Sequence, residues 1–162
     1  MELIENKGSL VDLRLTNKPV VLKLSNAKTG SYFYVTLVSI DDKRVEIAQG
    51  TKIKTFSVQD ISVIWSGENI LLWKPPAFYK RKLRIGNTGD MVEWLDKYQA
   101  QVQRRPATGR KVYESRLSDY VKEFQQSVGL TPDGIVGPMT ILYLQGMLGN
   151  DHPSLSVREV NP

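Results

Sequence analysis

Cysteine is absent from the 162 residues, which excludes disulfides, thiolate nucleophiles and every cysteine-ligated metal site. Histidine occurs once, as His152, so multi-histidine metal centres and a serine–histidine relay are excluded as well. No metal and no cofactor is expected. No apolar run approaches the roughly 20 residues that cross a bilayer. The opening residues MELIENKGSL lack the basic start and apolar stretch of a signal peptide. The Gly-x-x-x-x-Gly-Lys-Ser/Thr phosphate loop is missing too, so ATP hydrolysis is not expected. An enzyme made from this chain would have to work mainly with carboxylates.

What is present is an ordinary globular composition. Hydrophobic residues make up 41% and charged residues 24%, which argues against a mainly disordered chain. The formal charge is +5 and the pI is near 9.4. Ten cations face eight anions in residues 1–75, and twelve face nine in residues 76–162. Such a balance either attracts polyanions (nucleic acid, anionic lipid, acidic wall polymer) or is a solvated surface. With the charge spread over both halves and no stacking-aromatic motif, nucleic acid is not an expected partner.

The texture changes near Lys74-Pro75-Pro76. Before it the pattern is mostly β. Pro19–Leu24 is a short branched apolar run, Asn26–Gly30 a turn, and Tyr32–Ile40 an aromatic and branched strand. Val45–Ala48 and Lys52–Phe56 alternate. Ser57 reads as the cap of a short helix through about Trp65, and Ile70–Trp73 as a last strand. About five strands and one small helix are expected. Two prolines then precede Lys80, Arg81, Lys82 and Arg84. This stretch is either a solvated connector or a contact for an anionic surface.

The second half is helical. Thr88 is expected to cap a helix carrying Val92, Leu95, Tyr98 and Val102. A second helix carries Leu117, Tyr120, Val121, Phe124 and Val128, and Gly129 ends it. Gly137-Pro138 opens a third, with Ile141, Leu144 and Leu148 as its buried stripe. The expected fold class is α+β: a small antiparallel β-sheet subdomain over 1–76, a basic linker over 77–82, a three-helix domain over 83–149, and a fraying tail over 150–162.

Three motifs in order identify the helical part. They are Gly86-x-x-Gly89-x-x-Val92-x-x-Leu95, then Val121-x-x-Phe124-Gln125, then Gly129-Leu130-x-x-Asp133-Gly134-x-x-Gly137-x-x-Thr140-x-x-x-Leu144. Together they resemble the three-helix peptidoglycan-binding domain over about residues 83–148. One departure stands out: the family's Asp-Gly-x-Phe-Gly loop before the second helix is replaced by Thr108-Gly109-Arg110-Lys111-Val112-Tyr113. The resemblance implies peptidoglycan as ligand, glycan or stem peptide, with Arg84, Gln125, Asp133, Gly134, Val136, Gly137 and Thr140 as candidate contacts. Phe124, Val92, Leu95 and Leu144 read as core, and Asp133 as a brace of its own loop. Arg84, Arg110 and Lys111 are cations able to pair with wall carboxylates.

The first half resembles the C-terminal, β-rich part of a C39-like peptidase domain. Where active relatives carry a histidine at the start of the second strand and an aspartate after the third, this chain has Phe33 and Gln49. Phe33 takes no proton and Gln49 orients no imidazolium, so an inactive pseudo-peptidase is expected. The combination resembles the periplasmic region of the general secretion pathway protein A family, ExeA type. That resemblance implies a non-catalytic role in type II secretion: binding the cell wall and helping the secretin assemble through it. Implied partners are general secretion pathway protein B, the assembling secretin and further copies of the chain. It also implies a periplasmic location, with a full-length protein anchored in the inner membrane by a helix outside these residues. A protein–protein adaptor that has lost its wall ligand, or a cell-wall hydrolase, are the alternative readings.

Overall fold

The computed structural model describes residues 1–148 and Leu155. The chain divides into two compact units, one of Met1–Lys74 with Leu144–Pro162 and one of Pro75–Tyr143. The expectation of a fraying tail lies outside the described residues apart from Leu155, which is buried and donates its N–H to the Asn17 carbonyl.

In the first unit the strands are β1 (Glu2–Lys7), β2 (Val20–Ser25), β3 (Tyr32–Ile40), β4 (Arg44–Gln49), β5 (Lys52–Ser57) and β6 (Trp65–Trp73). They form one sheet in the order β1-β6-β2-β3-β4-β5, antiparallel at every junction. Side chains alternate between the faces of a pleated strand, and burial follows that alternation. Val20, Leu22 and Leu24 of β2, Val35 and Leu37 of β3, Val45 and Ile47 of β4, and Leu71 and Trp73 of β6 are all buried. The register sets Val20 opposite both Leu37 and Leu71, so these side chains form one continuous apolar face.

Among the described residues six strands are present rather than about five, and a second helix, α1 (Leu10–Thr16), accompanies α2 (Val58–Ile64). The missed strand β1, Glu-Leu-Ile-Glu-Asn-Lys, lies on the sheet edge and is largely exposed, so its alternation is diluted by charge. Both short helices begin with a capping box. Ser9 accepts the Asp12 N–H while Asp12 accepts the Ser9 N–H, and Ser57 and Asp60 do the same. Each buries one apolar anchor, Leu13 in α1 and Ile61 in α2.

In the second unit α3 (Asp90–Val102) and α4 (Ser115–Ser127) are joined by α5 (Pro138–Leu148), whose last residues from Leu144 belong to the first unit. Val92, Leu95 and Tyr98 of α3, Leu117, Val121 and Phe124 of α4 and Ile141 of α5 are buried, as the helical spacing predicts. Val102 is 49% exposed and lies off that stripe. Thr88 does not cap α3. The N-cap is Gly89, at φ +115°, and makes no side-chain cap bond, because a backbone bridge to Val112 holds Thr88 one residue further out. In the last turn of α5, Gly146 lies against the Leu15 and Thr16 backbone of the first unit, and a Cβ there would overlap it.

Candidate functional site

Three loops of the second unit meet: residues 83–89 before α3, 106–114 before α4 and 129–137 before α5. Backbone bonds stitch them together. Leu83 and Val136 exchange N–H···O bonds of 3.0 and 3.1 Å. The Tyr113 N–H donates to the Asn87 carbonyl at 2.8 Å, and the Gly86 N–H to the Tyr113 carbonyl at 2.9 Å. The Tyr113 hydroxyl, itself fully buried, donates to the Gly134 carbonyl at 2.6 Å. Burial pushes that phenol up to about 12; the carboxylates of Asp133 and Asp119 add to the shift, against a hydrogen bond with Ser118.

Gln125 organises the third loop. Its side chain is 2% exposed. Oε1 accepts the Gly134 N–H at 2.8 Å, and Nε2 donates to Asp133 Oδ1 and the Ile135 carbonyl, each at 3.0 Å. Thr140 Oγ1 lies 3.3 Å from the same nitrogen and is also buried. Asp133 Oδ1 accepts the Ile135 N–H at 2.8 Å, so it braces its own loop while remaining exposed. Gly134, at φ +69°, has no room for a Cβ, which would overlap Ser118 Oγ.

Of the seven candidate contacts, Gln125, Gly134, Val136 and Thr140 therefore form the buried frame of the loop. Arg84 and Asp133 are exposed and Gly137 is half-exposed. The Leu83–Val136 bridge brings Arg84 beside this loop, and the Arg84 N–H is held by Asn87 Oδ1 at 3.0 Å. A Cβ at Gly137 would meet only Lys82 methylenes, at 3.7–3.9 Å, and Gly137 is not in a left-handed conformation. The fold itself does not demand a glycine there.

The second loop has a brace that the sequence reading missed. The Asp96 carboxylate, on α3 and 1% exposed, accepts the Thr108 hydroxyl and N–H at 2.8 Å each. It also accepts the Gly109 and Arg110 N–H groups at 2.9 and 3.3 Å. Burial acts to raise its pKa, but the Thr108 hydroxyl and the three N–H donors outweigh it and hold the carboxyl below the usual range. Arg110 lies 3.7 Å from Asp96 and 4.0 Å from Glu114, so this cation is spent inside the fold, while Lys111 stays exposed. Asp96 was legible in one respect. Val92-x-x-Leu95-Asp96 and Val121-x-x-Phe124-Gln125 place a polar side chain at the same step of two helices, and each braces the loop that follows its helix.

In the first unit, Phe33 lies near the start of β3 and Gln49 at the end of β4. Neither can move a proton, and no cysteine is present. Among the described residues no group of acidic or histidine side chains is placed to hold a metal ion, and no helix is long and apolar enough to cross a membrane.

Comparison with known proteins shows what each part resembles. Residues 1–75 match the family model "GspA, peptidase C39-like domain", and residues 88–144 match "Putative peptidoglycan binding domain". The chain thus joins a part similar to the GspA C39-like domain, without a cysteine, to a part similar to a peptidoglycan-binding domain. General secretion pathway protein A of Aeromonas hydrophila is 28% identical over 151 residues, covering 93% of this chain and 27% of that protein. The putative general secretion pathway protein A of Escherichia coli K12 is 23% identical over 115 residues, covering 71% of this chain and 24% of that protein. The chain thus spans about a quarter of the curated relatives it matches. The crystal structure of a periplasmic domain of the EpsAB fusion protein of the Vibrio vulnificus type II secretion system is similar with a TM-score of 0.56 at 29% identity. That match covers 90% of this chain and 64% of the other.

Proposed function

We propose that this chain is the peptidoglycan-binding periplasmic part of a type II secretion assembly factor, and that it helps the secretin assemble through the cell wall. The observation that carries the reading is the coincidence of the peptidoglycan-binding match, residues 88–144, with the stitched loop cluster. Relatives named for general secretion and a similar structure from a type II secretion system support the setting. In this reading Gln125, Gly134, Val136 and Thr140 shape the loop, and Arg84, Asp133 and Gly137 meet the wall. The β-rich part ends near residue 76 and serves as a scaffold or docking surface. General secretion pathway protein B and further copies of the chain are its protein partners, and a helix outside these residues anchors the full-length protein in the inner membrane. Weak single contacts would gain from avidity when several copies engage one sacculus.

Sedimentation with insoluble peptidoglycan sacculi tests this, at low and near-physiological salt. Gly137→Trp is the blocking variant, because the fold leaves room at this position. The expected outcome is that the wild type sediments at both salts and the variant, with an unchanged circular dichroism spectrum, does not. Sedimentation of neither, or of both at low salt only, favours the adaptor reading. One observation speaks for that alternative: the Thr108, Gly109 and Arg110 donors of the second loop are all consumed by Asp96.

A further inference from the structure

Residues 76–87 fall between the two family matches, yet they are folded into the second unit. The Phe78 ring stacks on Trp94 with centroids 4.9 Å apart and planes at 25°. The Tyr79 N–H closes a turn onto the Pro76 carbonyl at 2.8 Å, and Leu83 is tied to Val136 by two backbone bonds. A segment fixed at both ends has already lost most of the freedom that a flexible basic linker would surrender on binding.

This fixed arm carries Lys80, Arg81, Lys82 and Arg84, all exposed and none in an ion pair among the described residues. Four cations outside the arm are held in ion pairs: Arg14 with Asp42, Lys23 with Glu68, Arg110 with Asp96 and Lys122 with Asp119. Leu83 is buried at the bridge, while its neighbours Lys82 and Arg84 are exposed, and Lys82 lies beside Gly137. Lys80 and Arg81 stand at a groove of about 370 Å³ whose other walls include Phe78, Asn87, Thr88 and Asp90. The groove therefore joins an aromatic face, two polar side chains, the Asp90 carboxylate at one wall and two cations without an ion pair among the described residues.

We infer that this arm is an extension of the wall-binding surface that takes the carboxylates of peptidoglycan stem peptides. The inference rests on the peptidoglycan reading above and adds the chemical group that is read and the residues that read it. A stem peptide brings several carboxylates on a chain short enough for the groove, and guanidinium and ammonium groups hold carboxylates by charge-assisted hydrogen bonds.

The test crosses one variant with one chemical modification. The arm variant is Lys80→Gln/Arg81→Gln/Lys82→Gln/Arg84→Gln, and the ligand is sacculi before and after carbodiimide amidation of their carboxylates. Four exposed pairs at modest strength correspond to about a tenfold loss of affinity. The variant is expected to lose about tenfold on native sacculi, the wild type to lose the same on amidated sacculi, and the variant to be insensitive to amidation. Unchanged binding of the variant to native sacculi would overturn the arm's role, Arg84 included, and leave Asp133 and Gly137 as the contacts of the loop cluster. A further loss for the variant on amidated sacculi would place carboxylate recognition elsewhere. Equal arm-dependent binding to vesicles containing anionic phosphatidylglycerol would show that the arm reads any anion, and would also overturn the assignment. Wild type that fails to sediment with native sacculi removes the peptidoglycan reading itself.

Discussion

At Asp96 one buried carboxylate holds the turn of a whole loop by accepting from Thr108, Gly109 and Arg110. Its truncation in Asp96→Ala strands those donors and is expected to cost about 3 kcal/mol, read from urea unfolding midpoints. The folded-state pKa lies below the unfolded value near 4. The stabilisation is therefore complete above about pH 4 and is lost as the pH falls through the folded pKa. Unfolding of the wild type between pH 7 and pH 3 should show that loss, and Asp96→Asn should show a flatter profile over the same range. Gln125 does the equivalent work for its own loop without charge. Both residues look like unremarkable polar positions in the sequence. A bond to a loop 8 to 14 residues later leaves no local signature, and only the repeated spacing after two helical apolars marks them.

Among the elements, the ones read correctly were those whose ends carry their own chemistry. Ser57 with Asp60, Gly129 after α4 and Pro138 at the start of α5 are local signals, and each marks a real boundary. Thr88 was a false one, since a capping residue type is common and the bridge to Val112 decided its place. The pair can be separated by experiment. Ser57→Ala removes the hydroxyl that accepts the Asp60 N–H and should cost about 1 kcal/mol, whereas Thr88→Ala should stay within about 0.5 kcal/mol. Equal costs from thermal or urea unfolding would contradict the assigned caps. The strand β1 escaped because an edge strand buries little, and α1 because seven residues are too few for a helical stripe to repeat.

For the whole molecule, the sequence announced a β-rich half followed by a helical half, because the hydrophobic period changes from two to between three and four near Pro75-Pro76. It did not announce that residues 76–87 fold with the helical half, since stacking of Phe78 on Trp94 is a tertiary event. Nor did it reveal that the end of α5 is claimed by the sheet-bearing unit, where Gly146 fits because it has no side chain. The sheet order has its own outcome for how the protein behaves in concentrated solution. Every junction is antiparallel, and β1 and β5 are left as the two outer strands, each with backbone donors and acceptors facing outward. Such rims template growth into aggregates unless charge keeps neighbours apart. β5 is exposed along most of its length and carries Lys52 and Lys54 among Ile53, Thr55 and Phe56. Lys52→Val/Lys54→Val turns it into an uncharged, β-prone stretch, and light scattering should then record concentration-dependent association where the wild type stays monodisperse. On this account the two lysines serve solubility, keeping a small open sheet from joining its neighbours in a crowded compartment.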